Sequence, residues 1–173
     1  MAKLLVVGAG PAGLYAASEA AKSGFNVTLC EKGKIGENIR CAEEFFDTLK
    51  VLGKPEFGVH FKVENLIIKV ISTYKLNANQ LNLWMIDRAT WQKKLAEQAE
   101  NLGVKIREKS QISPKDLIKL KKEYDYIIDA SGAPSVTSRL NGFSNFYKQH
   151  SGKTVQYTME GDFSHIGNSL KVG

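Results

Sequence analysis

The stretch KLLVVGAGPAGLYAASEAAKSGFNVTLCE, residues 3–31, decides the fold of this chain. It begins with a short apolar run, Lys3–Val7, that stops at a glycine, a pattern typical of a buried parallel strand. An alanine-rich segment, Pro11–Ser23, follows and predicts a helix that ends before Gly24. A second apolar run, Asn26–Cys30, completes a strand–helix–strand unit, for which a right-handed crossover is expected.

The turn between the first strand and the helix, Gly8-Ala9-Gly10-Pro11-Ala12-Gly13, has the glycine spacing of a dinucleotide-binding motif. Gly8 permits the tight turn, Gly10 leaves room for a pyrophosphate, and Gly13 lets the helix pack closely on the sheet. The N-terminus of the helix offers free N–H groups and a positive dipole end to the phosphates. The turn therefore predicts a phosphate-binding site.

Glu31 ends the second strand, about 20 residues after the turn, where a carboxylate accepts hydrogen bonds from ribose hydroxyls. The same carboxylate repels a 2′-phosphate, which disfavours NADP at this site. The alternatives are a Rossmann-like unit that binds no nucleotide and an exposed, unengaged Glu31 at the strand end. The glycine spacing alone does not distinguish FAD from NAD.

The rest of the chain mixes helical and strand patterns. The predicted helices are a short one over Phe45–Leu52, an amphipathic one over Arg88–Leu102 and a weak one starting at Pro114. The predicted strands are Val63–Ser72, Leu81–Ile86, Val104–Arg107, Tyr124–Ala130 and Thr154–Met159. The strands between the first unit and the long helix leave the Rossmann pattern, so we interpret that region as an excursion.

Composition limits the other function classes. The chain has 173 residues and a net charge of +6, with lysines spread along it, so we expect a solvated surface and no nucleic-acid partner. The two cysteines, Cys30 and Cys41, and the three scattered histidines lack the spacing of a metal site. No apolar run approaches the roughly 20 residues of a membrane span, and the N-terminus enters a strand directly. We therefore expect a cytoplasmic protein with no signal peptide and no bound metal.

Four segments resemble the geranylgeranyl reductase family, which belongs to the flavoproteins similar to p-hydroxybenzoate hydroxylase. They are the GAGPAG turn, Glu31–Glu44 (EKGKIGENIRCAEE), Ile86–Leu95 (IDRATWQKKL) and Tyr126–Arg139 (YIIDASGAPSVTSR). The most specific piece is the tetrapeptide Arg40-Cys41-Ala42-Glu43 at its distance from Glu31. The resemblance covers roughly residues 3–140 and implies FAD as the cofactor.

The resemblance also implies the fold and its domains. The expected fold is α/β: a Rossmann-type FAD/NAD(P)-binding fold with a parallel sheet, plus the beginning of a mixed α+β substrate domain. We expect one FAD-binding domain over residues 1–173, with residues 54–86 as a strand excursion towards the substrate domain and residues 151–173 as the start of a second half. Family members are about twice as long, which implies a fragment or a truncated gene product.

Carried over by position, the resemblance implies a set of cofactor-binding residues along the whole length of FAD. The backbone at Ala12 would meet the pyrophosphate, Glu31 the ribose, and the backbone near Ile112 the adenine. The full set is Gly8, Gly10, Pro11, Ala12, Gly13, Glu31, Lys32, Arg40, Cys41, Ala42, Arg88, Ile112, Ala130 and Gly132. Of these, Arg40, Cys41 and Ala42 would lie along the flavin, and Arg88 would reach the cofactor from the start of its helix.

Simpler interpretations stand beside these roles. Arg88 pairs with a nearby carboxylate in one of them, and Cys41 is a small buried hydrophobic residue in another. Arg139 is a structural residue rather than a catalytic one. No residue of the chain is identified as a proton donor or a catalytic residue.

The resemblance implies an FAD-dependent oxidoreductase that reduces carbon–carbon double bonds of an isoprenoid or prenyl-lipid substrate. Ser131 replaces an aspartate common in hydroxylase relatives, which favours a reductase. A flavin-dependent monooxygenase and a non-catalytic FAD-binding remnant are the alternatives. The expected partners are a small-molecule or lipid substrate and an electron donor, NAD(P)H or ferredoxin, that the sequence leaves open. A lipid substrate would also bring peripheral attachment to a membrane.

Overall fold

The computed structural model describes residues 1–152, 155, 157 and 160–172. The elements follow one another along the chain in this order: β1 (Lys3–Val7), α1 (Pro11–Lys22), β2 (Asn26–Cys30), β3 (Glu44–Phe46), β4 (Val59–Lys62), β5 (Asn65–Lys69), β6 (Thr73–Asn77), β7 (Leu83–Ile86), α2 (Arg88–Asn101), β8 (Lys105–Arg107), α3 (Pro114–Leu120), β9 (Tyr126–Asp129), α4 (Val136–Leu140), α5 (Ser144–Gln149) and β10 (Ser169–Val172). The chain forms two compact units. The first comprises Met1–Glu37 and Gln92–Lys153, and the second Asn38–Trp91 and Thr154–Gly173.

The first unit contains a parallel four-stranded sheet in the order β8-β2-β1-β9. β1 is central, with Leu5 opposite Thr28 on β2 and opposite Ile127 on β9. Parallel strands covered on both faces are apolar throughout, and four of the five residues of both β1 and β2 are buried. The predicted Rossmann-type α/β fold is confirmed.

The core of this sheet is closed by helices that the sequence places after the strands. On one face, Leu5 and Val7 of β1 and Cys30 of β2 pack with Leu117 of α3 and Val136 of α4. Cys30 is therefore a core residue, as predicted, and burial raises the pKa of its thiol while nearby Arg107 lowers it less. α3 is held at its start by a capping box in which Ser113 and Asp116 bond reciprocally.

The second unit contains two small sheets. One joins β3, β7 and β4 in antiparallel pairs, and the other places β5 between β10 and β6. β5 and β6 form an antiparallel hairpin, whereas β10 runs parallel to β5. A buried cluster of Val63, Ala78 and Leu83 lies between the elements of this unit.

The predicted helix over Phe45–Leu52 is wrong. The segment begins as β3, in which Phe45 pairs with Trp84 of β7 and its ring packs edge-on against Trp91 at 5.8 Å. The chain then turns around Asp47, whose carboxylate accepts hydrogen bonds from three successive backbone N–H groups, those of residues 51–53. Cross-strand pairing and this carboxylate-centred turn override the weak helical spacing of three apolar residues.

Several short elements were absent from the sequence-based predictions. The strands β4, β6 and β10 and the helices α4 and α5 are each four to six residues long, too short for a hydrophobic period to show. The predicted strand over Thr154–Met159 falls mostly on residues outside the described part of the chain. The remaining predicted strands and helices are present: β1 and β2 match the prediction at both ends, and the ends of the others are shifted by at most three residues.

Candidate nucleotide-binding site

The glycine turn after β1 is built by close backbone contacts. Gly8 has φ +99°, and a Cβ there would lie 2.5 Å from the carbonyl oxygen of Ala130 at the end of β9. A Cβ on Gly13 would lie 1.9 Å from the carbonyl oxygen of Gly8, so α1 approaches the turn as closely as only glycine allows. A Cβ on Gly10 would meet no atom within 4 Å. Gly10 therefore faces open space at the N-terminus of α1.

Glu31, directly after β2, is hydrogen-bonded to this turn. Its Oε2 accepts a hydrogen bond from Ala9 N at 2.8 Å, and its Oε1 accepts one from Gly33 N at 3.0 Å. A carboxylate has about four acceptor positions, so each oxygen retains capacity for a further donor. The backbone bonds fix the orientation of the side chain, and the alternative of an unengaged surface charge is excluded.

A cavity of about 230 Å³ lies beside the turn within the first unit. Gly8 and Glu31 line it on one side, and Ile112 contributes an apolar wall. Lys32 and Arg139 also line it, so two cations and one carboxylate border the same space. Its mixture of apolar wall, polar groups and positive charge suits a phosphorylated nucleoside.

The loop after β9 is tied together by Asp129. Its carboxylate accepts hydrogen bonds from the backbone N–H and the hydroxyl of both Ser131 and Thr137, and Ser131 Oγ in turn accepts one from Val136 N at 2.9 Å. Partial burial raises the pKa of Asp129, but the bonds from Ser131 and Thr137 outweigh it and bring the pKa to about 2. The network fixes the segment 130–136, four residues of which line the cavity.

Gln92 of α2 holds the turn from another direction. Its side chain is buried, and its Nε2 donates a hydrogen bond of 2.6 Å to the carbonyl oxygen of Ala9. The same residue, Ala9, donates its N–H to Glu31. Both polar groups of one residue in the turn are thus satisfied by side chains 22 and 83 positions away in sequence.

In the second unit, Arg88 at the start of α2 contacts two residues of the Arg40–Glu43 segment, Cys41 and Glu43. Its Nη1 donates to Cys41 Sγ at 3.5 Å, its backbone N–H lies 3.4 Å from Glu43 Oε1, and its guanidinium lies over the Trp91 ring at 5.1 Å. Its Nε is buried and has no hydrogen-bond partner within the described residues. The alternative of a guanidinium–carboxylate pair is not observed among those residues. Arg40 and Ala42 are exposed.

The residue before Arg88 sets the helix start. Asp87 accepts hydrogen bonds from the N–H and the hydroxyl of Thr90, at 3.0 and 2.6 Å, as an N-cap does. These bonds, the side-chain one first, lower the pKa of Asp87. The Asp87-Arg88 pair thus combines a cap with a cation held beside Cys41.

The structure divides the predicted cofactor residues between the two units. Most of them belong to the first unit, where they surround the turn and its cavity: Gly8, Gly10, Pro11, Ala12, Gly13, Glu31, Lys32, Ile112, Ala130 and Gly132. The other four, Arg40, Cys41, Ala42 and Arg88, belong to the second unit. Over the described residues, no group of three or more His, Cys, Asp or Glu side chains is arranged to hold a metal ion.

Comparison with known proteins identifies the family. The family model described as pyridine nucleotide-disulphide oxidoreductase matches residues 2–168. The chain belongs to the pyridine nucleotide-disulphide oxidoreductase family. The predicted class, an FAD-dependent oxidoreductase, and the predicted cofactor are confirmed at the level of this family.

The resemblance to geranylgeranyl reductases is also confirmed by similar sequences. A digeranylgeranylglycerophospholipid reductase of Methanosarcina acetivorans is 30% identical over 98% of this chain and 49% of its own length. A digeranylgeranylglycerophospholipid reductase 1 of Methanococcoides burtonii is 29% identical, with the same shares covered. The chain spans about half the length of these curated relatives.

Solved structures agree with this assignment. A geranylgeranyl bacteriochlorophyll reductase-like protein from Thermoplasma acidophilum is 27% identical with a TM-score of 0.55, over 62% of this chain and 30% of that one. A 2-methyl-3-hydroxypyridine-5-carboxylic acid oxygenase has a TM-score of 0.61 over 82% of this chain and 42% of that one, at 21% identity. At 21% identity, the similarity to the oxygenase shows that the fold is shared and nothing more.

Sequence reasoning missed two residues that organise the site, although each left a signal. Gln92 shares its spacing with Leu95, Ala96 and Ala99, so a polar residue stands on the apolar face of α2. Such a residue, when buried, requires a hydrogen-bond partner. Asp129 ends a strand that is followed by Ser131, Ser135 and Thr137, a density of hydroxyls typical of a side-chain-bonded turn.

We expect Gln92→Leu to lower the free energy of unfolding by about 1–3 kcal/mol, because the Ala9 carbonyl loses its donor while buried. Gln98→Leu, at an exposed position of the same helix, is the matched control and changes stability by less than about 0.5 kcal/mol. Urea denaturation followed by circular dichroism measures both. Equal effects of the two substitutions would contradict the assigned role of Gln92.

We expect the stability contributed by Asp129 to depend on pH. Its folded-state pKa of about 2 lies below the ordinary 3.8, so the carboxylate stabilises the fold fully above about pH 4 and loses that effect as the pH falls towards 2. Asp129→Asn should therefore be less stable than the unmodified chain at pH 7, and the difference should be much smaller near pH 2. Urea titrations at several pH values measure this difference, and a constant difference would refute it.

Proposed function

We propose that this chain is the FAD-binding part of a flavin-dependent reductase that saturates carbon–carbon double bonds in the prenyl chains of a lipid. One observation carries the proposal. A complete phosphate-binding turn with an oriented Glu31 occurs in a chain that matches, over 98% of its length, a protein named digeranylgeranylglycerophospholipid reductase. Two kinds of support follow, from the nucleotide end and from the flavin end of the cofactor.

The nucleotide end fits the first unit. The N–H groups of Ala12 and Gly13 in the first turn of α1 have no intrahelical acceptor, and Gly10 leaves open space in front of them, so a pyrophosphate is favoured there. Glu31 accepts from the ribose hydroxyls through its remaining acceptor positions. Ile112 contacts the adenine as an apolar wall of the cavity, and Lys32 adds positive charge.

For the flavin end we propose Arg40, Cys41, Ala42 and Arg88 of the second unit. The Nε of Arg88, buried and without a partner in the described part of the chain, is a donor that suits an acceptor atom of a bound group. Cys41 sits against this cation, so its side chain is oriented rather than free. When bound, FAD supplies the hydride chemistry; the protein supplies position and exclusion of water.

The proposed domain organisation follows the same division. Residues 1–37 and 92–153 form the nucleotide-binding unit, and we propose that the strands from residue 54 to residue 86, with β10, begin the substrate domain. The proposed substrate is a prenyl-bearing lipid, by analogy with the named activity of the relatives. The oxygenase structures support the fold alone, and the relatives with a named activity at higher identity are reductases, which favours reduction over hydroxylation.

We expect Glu31→Ala to weaken FAD binding about 10–150-fold, the effect of losing roughly 1.5–3 kcal/mol of hydrogen bonds to a charged group. Glu19→Ala is the control, because Glu19 is an exposed carboxylate on α1 that pairs with Lys22 on the same helix. FAD fluorescence titration measures the dissociation constants, and circular dichroism confirms that both variants are folded. An unchanged constant for Glu31→Ala would remove this residue from the site.

We expect the chemically reduced protein to convert a geranylgeranylated phospholipid to a more saturated product without oxygen. The preparation is the natural protein that contains this chain, loaded with FAD. Mass spectrometry measures the gain of two hydrogens per double bond, and flavin absorbance measures reoxidation in step with it. Reoxidation only on admission of oxygen, with one oxygen atom in the product, would replace the reductase proposal with the monooxygenase alternative.

A further inference from the structure

The hairpin of β5 and β6 has an apolar tip. Its three-residue loop is Val70-Ile71-Ser72, closed by a hydrogen bond of 3.1 Å from Val70 N to Ser72 O. Ile71 is fully exposed and Val70 is 71% exposed. Hairpin loops usually carry glycine, asparagine, aspartate, serine or proline, because these residues adopt the backbone conformations of the turn or bond to its backbone groups. Two β-branched aliphatic residues at a tip leave apolar surface that water solvates poorly.

One face of this sheet continues the apolar surface away from the tip. The register places Ile68 opposite Tyr74 and Leu66 opposite Leu76, and side chains of paired residues share a face. At the base of the hairpin, Leu66 packs on the buried cluster of Val63, Ala78 and Leu83. On β6, Leu76 is 49% exposed and Tyr74 is 57% exposed, and in the loop Val70 is 71% exposed and Ile71 fully exposed. The exposed apolar surface therefore increases along the hairpin towards its tip.

The opposite face of the sheet is basic. Lys75 of β6 and Lys171 of β10 flank Ile67 on the central strand, and Lys69 lies two residues further along that strand towards the tip. All three lysines are exposed. The three strands contain no acidic residue, so no carboxylate on the sheet neutralises this charge.

We propose that this hairpin docks on a lipid bilayer that contains anionic lipids. The tip, Val70 and Ile71, enters the boundary between headgroups and acyl chains, with Tyr74 at headgroup level. The lysines of the basic face contact lipid phosphates. An interfacial membrane anchor needs this combination of a shallow apolar insertion and adjacent cations.

The shape of the tip favours a bilayer over a protein partner. A stable protein interface buries a broad surface with an apolar centre, whereas the tip offers two aliphatic side chains at the end of a narrow hairpin. Insertion into a bilayer requires only a few apolar side chains at the end of a narrow element. The anionic lipids supply the negative charge that the sheet itself does not offer to the three lysines. In the described part of the chain, no helix is long and apolar enough to cross a bilayer.

The inference goes beyond the reductase proposal, because it requires neither FAD nor turnover. The experiment is co-sedimentation of the natural protein that contains this chain with vesicles of pure phosphatidylcholine and with vesicles that also contain phosphatidylglycerol. We expect binding to the anionic vesicles that weakens as salt is raised. We expect Val70→Ser with Ile71→Ser to reduce the partition coefficient by about tenfold or more, since the inserted apolar surface is lost.

Two further variants sharpen the result. Leu49→Ser with Val51→Ser removes two equally exposed aliphatic side chains from a loop elsewhere in the second unit and should leave vesicle binding unchanged. Lys69→Gln with Lys75→Gln should weaken binding to anionic vesicles about tenfold or more, at about 1 kcal/mol per lysine, and leave the apolar tip intact.

Three results would overturn the proposal. The first is no binding to anionic vesicles, and the second is binding that both serine pairs reduce equally. The third is self-association in solution that Val70→Ser with Ile71→Ser abolishes, without vesicle binding, since that assigns the tip to contacts between copies of the chain. FAD titration of the tip variants is expected to match that of the unmodified chain, so a failure of membrane docking is distinct from a failure of the reductase proposal.

Discussion

The absence of a Cβ at Gly13 is the constraint on which the first unit depends. An added methyl group there would lie 1.9 Å from the carbonyl oxygen of Gly8, far inside van der Waals contact. Gly8 is restricted in turn by Ala130 at the end of β9. The central strand, the first helix and the fourth strand of the sheet therefore meet at one point where only backbone fits. This contact brings the N-terminus of α1 to the carboxyl end of the sheet, where parallel sheets bind their ligands.

Two polar side chains, Glu31 and Gln92, hold the glycine turn in place through hydrogen bonds. The N–H of Ala9 bonds to Glu31 and its carbonyl oxygen accepts from Gln92, so the turn is held from β2 and from α2. The orientation of Glu31 is a consequence of this same arrangement. A residue assigned to cofactor recognition is thus also part of the internal bonding of the turn. The proposed recognition of the ribose and the local stability of the turn therefore depend on the same carboxylate.

The second unit uses other means to place its functional residues. Arg88 occupies the first position of a helix capped by Asp87, and its guanidinium lies against Cys41 and the Trp91 ring. Its Nε is buried and has no hydrogen-bond acceptor among the described residues, so this donor is open to an acceptor from a bound group. The β5–β6 hairpin of the same unit is different in character, because its apolar tip and basic face are directed to solvent. The proposed cofactor contacts and the proposed membrane-binding surface are therefore carried by different elements.

The sequence by itself determined the strand–helix–strand unit, the glycine turn and the position of Glu31. These depend on short-range rules: apolar runs, glycine where no side chain fits, and a carboxylate at a strand end. Only the tertiary structure decided that Phe45 belongs to a strand, since its pairing with Trp84 joins residues about 40 positions apart. The same holds for Gln92 and Ala9, and for the hydroxyls around Asp129. The local sequence pattern determines which backbone conformations have low free energy. The partner of a buried polar group, in contrast, depends on how distant segments of the chain pack together.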